Sequence, residues 1–358
     1  MSIETLFDRA VDNTSMQDRY AALKQEQPSM RQRDVAEQLL ISEAEMLHQQ
    51  LGVQSLYLNS DFANLLRDLP SLGYVMILLR NEYAVHERKG VYDNVKIGGP
   101  MGMGLIISAD KRIDLRLFLK QWKHGFAVRE TLSHGSRFSL QFFDENGVAI
   151  QKLFLQDKSD MQAYARLVTK YRHPDQQAHL DIVKRSEEEA ATKAVEVDQQ
   201  ALYHDWSAMT DVHQFVGLLK KHTVTREQAF DLVGEEFAQP FDIAKLKDVL
   251  MTLAEQQVPI MCFVGNKGGI QIHSGVIHSI VEKGDWLNIL DPEFNLHLLM
   301  SGISRGWLIR KPTSDGIITS LELYDETGGQ VAQFFGKRVE KSPENLDWRA
   351  VAEATLVA

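Results

Sequence analysis

A single cysteine, Cys262, is all the thiol this 358-residue chain carries, so no disulfide can close within it. That fits a reducing compartment. The residue lies in the apolar run Ile260-Met-Cys-Phe-Val264, where a thiol packs as a small hydrophobe rather than acting as a nucleophile. Long hydrophobic runs are missing too. Gly73-Tyr-Val-Met-Ile-Leu-Leu79 stops at Arg80, well short of the roughly 18 apolar residues of a membrane span, and reads as a buried strand. The N-terminus, Met1-Ser-Ile-Glu-Thr-Leu-Phe-Asp-Arg-Ala10, has no basic start followed by an apolar core. No signal peptide is expected, and a cytoplasmic location is. An excess of positive charge is also absent. The formal net charge of −10 argues against a general binder of nucleic acid or anionic membrane, while leaving room for a local basic pocket. Finally, there is no Gly-x-Gly-x-x-Gly, phosphate loop, Cys-x-x-Cys or His-Glu-x-x-His, so no flavin, nicotinamide or zinc-protease motif is present.

What is present is an ordinary globular composition, 44% hydrophobic and 25% charged, with length enough for two domains. Residues 16–52 read as helices, and Arg33-Asp-Val-Ala-Glu-Gln-Leu-Leu40 with Ile41-Ser-Glu-Ala-Glu-Met46 has a helix–turn–helix pattern. The acidic balance favours packing over DNA reading there. After a helical piece at Ser60–Arg67, alternating strand-like runs extend to about residue 155, punctuated by Gly98-Gly-Pro100, His134-Gly135 and Glu145-Asn-Gly147. The stretch 172–204 is charge-rich and short of large apolar residues, which predicts a linker.

Beyond the linker the pattern restarts. Gly125-Phe-Ala-Val-Arg-Glu130 matches Gly306-Trp-Leu-Ile-Arg-Lys311 at an offset of 181 residues. Ser139-Leu-Gln-Phe-Phe-Asp-Glu-Asn-Gly147 against Ser320-Leu-Glu-Leu-Tyr-Asp-Glu-Thr-Gly328 has the same offset, as has Ile113–Leu119 against Phe294–Met300. Three segments at one offset predict an internal repeat. The fold expected is α+β, a tandem structural repeat in which each half is an antiparallel β-sheet with helices packed on one face. The boundaries expected are 1–175 for the N-terminal repeat, 176–203 for the charged linker and 204–358 for the C-terminal repeat. A cleft between non-identical halves is a common place for a ligand.

Two places offer chemistry. In Trp206-Ser-Ala-Met-Thr-Asp-Val-His-Gln-Phe-Val-Gly-Leu-Leu-Lys-Lys221, the residues Val212, Phe215, Val216 and Leu219 are spaced as a buried helical stripe, with Thr210 or Ser207 as the cap. His213 falls at the edge of that stripe, with Gly217 and Lys220 along the same flank. That flank offers a nitrogen ligand, room for a flat ligand and a cation for a carboxylate; the plain alternative is a satisfied, half-buried histidine. In the strand Arg112–Leu119, Ile113, Leu115, Leu117 and Leu119 face the core, while Asp114, Arg116 and Phe118 share the other face. Arg116 there suits an anion or planar ligand, or simply a pair with Asp114. His86 stands without a second histidine nearby and reads as a surface or half-buried residue.

Met209-Thr-Asp-Val-His-Gln-Phe215, Arg80-Asn-Glu-Tyr-Ala-Val-His86, Asp114-Leu-Arg-Leu-Phe-Leu-Lys-Gln-Trp122, Gly284-Asp-Trp-Leu-Asn-Ile-Leu-Asp-Pro292 and Arg310-Lys-Pro-Thr-Ser-Asp-Gly316 resemble stretches of the HemS/ChuS/PhuS haem proteins. The resemblance runs from about Tyr20 to about Arg349. It implies a cytoplasmic haem-binding protein of Gram-negative bacteria, a tandem repeat with haem b between its halves. His213 matches the iron-ligating histidine and Arg116 the distal arginine. Lys311, Arg226 and Arg338 match cations around the haem propionates and pocket rim, and Phe263 and Gln333 match pocket-lining positions. His86 matches a histidine for which a second haem-binding role has been proposed in part of the family. Phe335 stands where a tyrosine is expected, and His204 adds an alternative histidine ahead of His213. Gly217 as space for the porphyrin and Lys220 as a propionate partner are inferences from the helix flank itself.

The resemblance implies two roles. One is haem trafficking, in which haem from an inner-membrane importer is buffered and handed on, for instance to a haem oxygenase. The other is enzymatic ring opening, with Arg116 stabilising oxygen bound at the iron and electrons supplied by an external donor.

Overall fold

The computed structural model describes residues 3, 6–7, 14–27, 30–99, 102–132, 135–184, 197–339 and 342–356. Pro100, His134 and residues 185–196 of the expected linker lie outside the described residues. Two compact units are present: residues 1–80, 87–186 and 266–271 form the first, and residues 81–86, 187–265 and 272–358 the second. Each takes a short segment from the other half of the sequence.

In the first unit the strands Ser55–Tyr57, His124–Leu132, Gly135–Phe143, Ala149–Ser159 and Gly73–Arg80 lie side by side in that order, all antiparallel. A second ladder joins Val95–Gly98, Met103–Ile107 and Asp114–Phe118, and residues 269–271 extend it by pairing Ile270 with Arg116. Asn266 fastens this borrowed segment, its Nδ2 donating to the carbonyls of Arg80 and Ile150. Phe62, Leu66, Val75, Ile77, Leu117, Trp122, Phe142 and Tyr164 fill the core, brought together from helices and from one face of the sheet.

The second unit repeats the plan. Ala238–Phe241, Arg305–Thr313, Gly316–Tyr324, Gln330–Gly336 and Ile260–Asn266 occur in the same antiparallel order, and Ile280–Lys283, Trp286–Leu290 and Phe294–Leu299 form the smaller ladder. His124–Leu132 and Gly135–Phe143 map onto Arg305–Thr313 and Gly316–Tyr324 residue for residue at the offset of 181. The fold is α+β and repeated, as the sequence predicts. Matching glycines open the second strand of each central hairpin, Gly135 at φ 108° and Gly316 at φ 112°, where a side chain would be strained. Helices Gln199–Ser207, Gln214–His222 and Arg226–Val233 bury Leu202, Trp206, Phe215, Leu218 and Phe230 against Trp307, Ile309 and Tyr324 of this sheet. The end of the expected linker is therefore a packed helix: Asp198 caps it, and Leu202 and Trp206 supply the buried face that the composition of the stretch obscures.

Candidate functional site

The residues Thr210–Gln214 make a turn closed largely by its own side chains. Gln214 Oε1 accepts the backbone N–H of Thr210 at 2.8 Å and of Asp211 at 3.2 Å. Its Nε2 donates to Thr210 Oγ1 at 3.2 Å. Asp211 Oδ1 accepts the backbone N–H of His213 at 2.8 Å and lies 2.6 Å from the same residue's Nδ1. The N–H of Ser314, in the tight connection between two strands, donates to Thr210 O at 2.9 Å and anchors the turn to the sheet. The His213 side chain is thus held by a carboxylate although it is 91% exposed. In the neutral tautomer that gives Nδ1–H to this carboxylate, Nε2 presents its lone pair, and among the described residues nothing bonds it. Asp211 is held below the usual carboxylate range, first by the backbone N–H of His213, then by its imidazole, with Arg338 adding to the effect.

The helix itself begins three residues later than a Thr210 cap would place it. It runs Gln214–His222, with His213 at the N-cap position, and neither Thr210 nor Ser207 caps it. Phe215 and Leu218 are buried, whereas Val216 is 51% exposed. The reason is the size of Phe215. Its ring enters an aromatic pocket 4.9 Å from Trp206 and 6.2 Å from Phe230, and burying so large a ring outweighs burying a valine. The helix is rotated accordingly, which turns His213, Val216, Gly217 and Lys220 together to the outside. Nothing lies within 4 Å of a Cβ built on Gly217. That face is open, with a nitrogen donor at one end and an ammonium at the other.

Beneath the helix lies a buried charge cluster. Glu322, with no exposed side chain, accepts from Lys311 Nζ at 2.7 Å, Tyr324 OH at 2.7 Å, Ser320 Oγ at 3.0 Å, Gln330 Nε2 at 3.1 Å and Arg226 Nη1 at 3.5 Å. Desolvation pushes this carboxyl up, but the Lys311 and Arg226 charges and the hydrogen bonds outweigh it and bring it down to about 2. Both cations also lie over the Phe215 ring, Lys311 at 4.7 Å and Arg226 at 5.1 Å from its centroid. Lys311 and Arg226, which the resemblance sets at a ligand rim, are here committed inward, and they seat the helix that carries His213.

The same sheet face continues outward. Phe263 lies opposite Gln333, and Gln333 opposite Glu322, so all three side chains share one face. Met261 and Phe335 follow in register on that face, and Phe263 meets Phe335 edge to face at 5.1 Å. Met261, Phe263, Gln333 and Phe335 are all half-buried. They form an apolar shelf with one amide on it, and Met261 is a member that sequence reading missed. Arg338 follows the last of these strands. Among the described residues it pairs with Asp315, at 3.8 Å, and its buried Nε has no hydrogen-bond partner.

Arg116 belongs to the first unit. It shares its face with Asp114 and Phe118 as expected, and its Nη1 donates to Asp114 Oδ1 and to Leu115 O. Leu105 and Ile270 flank it across the ladder, and Met103 pairs with Phe118. Leu105 and Met103 are exposed by 36% and 47%, so this guanidinium also sits on an apolar surface.

The other histidines are placed differently. His86 is fully buried in the second unit, not at its surface, because the alternation of Ala84–Val91 turns it inward. It lies 5.0 Å from Phe294, on which His273 stacks at 3.8 Å. His204 is exposed on Gln199–Ser207. His222 directs Nε2 to Asp205 at 2.6 Å and is only 7% exposed. One further motif resolves as structural: Gly302-Ile-Ser-Arg-Gly306 has the Gly-x-Ser-x-Gly spacing. Ser304, however, enters a strand from a 3-10 turn instead of opening a helix after a strand, as a nucleophile elbow requires.

The model of the haemin-degrading HemS.ChuX domain matches this chain twice, at residues 40–171 and 223–355. The hemin transport protein HmuS of Yersinia pestis is 40% identical over 337 residues, covering 94% of this chain and 96% of that protein. The holo form of PhuS, a heme-binding protein from Pseudomonas aeruginosa, superposes with a TM-score of 0.90 at 41% identity, covering 96% of this chain and 99% of that one. ChuS, described as an Escherichia coli heme oxygenase, gives 0.85 at 37% identity, covering 96% and 100%.

Proposed function

The chain belongs to the HemS.ChuX haemin-degrading domain family, and from that premise we propose that it binds haem through His213, accepts imported haem and traffics it. The observation that carries the reading is the His213 imidazole, exposed yet fixed through Nδ1, which leaves Nε2 as a ligand for iron. The neighbouring groups suit the rest of the molecule. The open helix face at Gly217 and the shelf of Met261, Phe263 and Phe335 suit the flat apolar ring. Arg338, weakly engaged, and Lys220 suit its carboxylates, while Gln333 supplies an amide on the shelf. Arg116, carried by the first unit, offers guanidinium donors that keep their charge and would suit an anionic or oxygen ligand. Lys311 and Arg226 contribute by holding the helix, His204 is a substitute ligand nine residues before His213, and His86 becomes available to a second haem only if the Phe294 contact opens.

The proposed setting is the cytoplasm, with an inner-membrane importer upstream and a haem oxygenase or electron donor downstream; no helix among the described residues is long and apolar enough to cross a membrane. Hemin titration tests the site. His213→Ala, alone and with His204→Ala, is expected to lose the Soret spectrum of the wild-type complex and most of its affinity. Unchanged affinity and spectrum would refute it.

A second reading, ring opening, is favoured by the description of ChuS as a heme oxygenase. Aerobic turnover of the haem complex with an electron donor and catalase separates the two readings. A haem band that stays intact and passes to a separate haem oxygenase supports trafficking; stoichiometric tetrapyrrole product supports the enzyme.

A further inference from the structure

We infer that Asp211 is the positioning residue of the haem ligand: it fixes the tautomer and orientation of His213 and, through that hydrogen bond, sets the electron density that the imidazole gives to the iron. The inference rests on His213 being the ligand. An imidazole 91% exposed is otherwise free to turn about two bonds, and binding iron would have to freeze both. Asp211 Oδ1 removes that freedom beforehand by accepting from two atoms of one residue, the backbone N–H at 2.8 Å and Nδ1 at 2.6 Å. The first contact fixes the turn and the second fixes the ring.

No other group in the turn is free for this work. The Gln214 amide is spent on Thr210 and Asp211, and Thr210 O receives Ser314 N. The comparison within the same helix is informative. His222 also meets an aspartate at 2.6 Å, but through Nε2 and with 7% exposure, so the same pairing there ties two helices together. At His213 the pairing uses Nδ1 and leaves the outer nitrogen open, which is the arrangement of a carboxylate–histidine–metal relay. A carboxylate on Nδ1–H makes the imidazole more basic, which strengthens its bond to ferric iron relative to ferrous and lowers the reduction potential of bound haem. Such tuning favours holding ferric haem over reducing it.

The test uses the full-length protein with hemin, comparing wild type, Asp211→Asn, Asp211→Ala and His213→Ala. Asp211→Asn keeps an oxygen for the turn but removes the charge. It is expected to fold as wild type by circular dichroism, to bind hemin about 10-fold more weakly, to raise the midpoint potential of the bound haem and to lower the ferrous iron–histidine stretching frequency. Asp211→Ala is expected to lose about 10–100-fold in affinity. Wild-type affinity, potential and stretching frequency in both Asp211 variants, with ligation lost in His213→Ala, would overturn the positioning role alone. Intact ligation in His213→Ala would overturn the ligand assignment and the positioning role with it.

Discussion

At the scale of single residues, the charges of this site divide by what they already hold. Lys311 and Arg226 are engaged by Glu322, while Arg338, among the described residues, pairs with Asp315 at 3.8 Å. Sequence shows all three as basic residues and cannot rank them, because Glu322 reaches Lys311 across a strand pair and Arg226 from a separate helix. The Asp-Val-His order of Asp211 to His213, by contrast, is local and legible; what the sequence lacks is the dihedral geometry that makes the aspartate an acceptor for Nδ1. The expected consequence is specific. Arg338→Ala should weaken hemin binding roughly tenfold, the scale of one charged hydrogen bond, but should leave binding of hemin dimethyl ester unchanged. Equal losses with hemin and its ester would show that Arg338 does not meet a carboxylate.

At the scale of elements, the helix Gln214–His222 is the part that periodicity placed only roughly. The sequence stripe included Val216, whereas the fold buries Phe215 and leaves Val216 and Gly217 outside. An isolated pattern cannot tell which apolar residue wins when an aromatic pocket built from other helices is waiting for one ring. Two predictions belong here. Gly217→Ala meets no neighbour, so it should stabilise the haem-free protein by about 0.5–1 kcal/mol through helix propensity, read as a higher melting temperature, while weakening hemin binding if the porphyrin lies along that face. Unchanged hemin affinity would move the porphyrin elsewhere.

The second concerns the seat of the helix. Glu322 is brought from its ordinary 4.5 to about 2. A folded-state value below the unfolded one means that its contribution is fully present above about pH 4.5 and is lost as pH falls toward 2. Glu322→Gln should destabilise the second unit by roughly 3–5 kcal/mol at neutral pH by leaving Lys311 and Arg226 uncompensated, and the deficit against wild type should shrink between pH 4.5 and 2. A deficit independent of pH would contradict the charge role. Lys152, Arg80 and Glu43 repeat the device in the first unit, where Glu43 also falls to about 2, so acid should weaken both units.

At the scale of the whole molecule, the repeat was the most legible feature, because the hairpins of both halves keep their turn glycines and strand lengths at one offset. The borrowed segments 81–86 and 266–271 were not legible, since strand pairing between distant stretches leaves no periodic trace. The family model matches residues 40–171 and 223–355, so His213 falls between the two matched stretches. The proposed ligand thus lies outside both matched stretches, on a turn packed within the second unit, and its Asp-x-His order occurs once in the sequence. Hemin titration should therefore saturate at one haem per chain, and His86→Ala, at a fully buried position, should not change that number. Two equivalents of equal affinity would mean that both halves ligate.

The central claim, that His213 binds the iron, is tested most directly by pulsed electron paramagnetic resonance of the ferric haem complex made with 15N-labelled histidine. The wild-type protein should show an axial nitrogen whose hyperfine coupling changes with the label, and His213→Ala, in a His204→Ala background, should lose it. The same labelled axial coupling surviving in that variant would contradict the account.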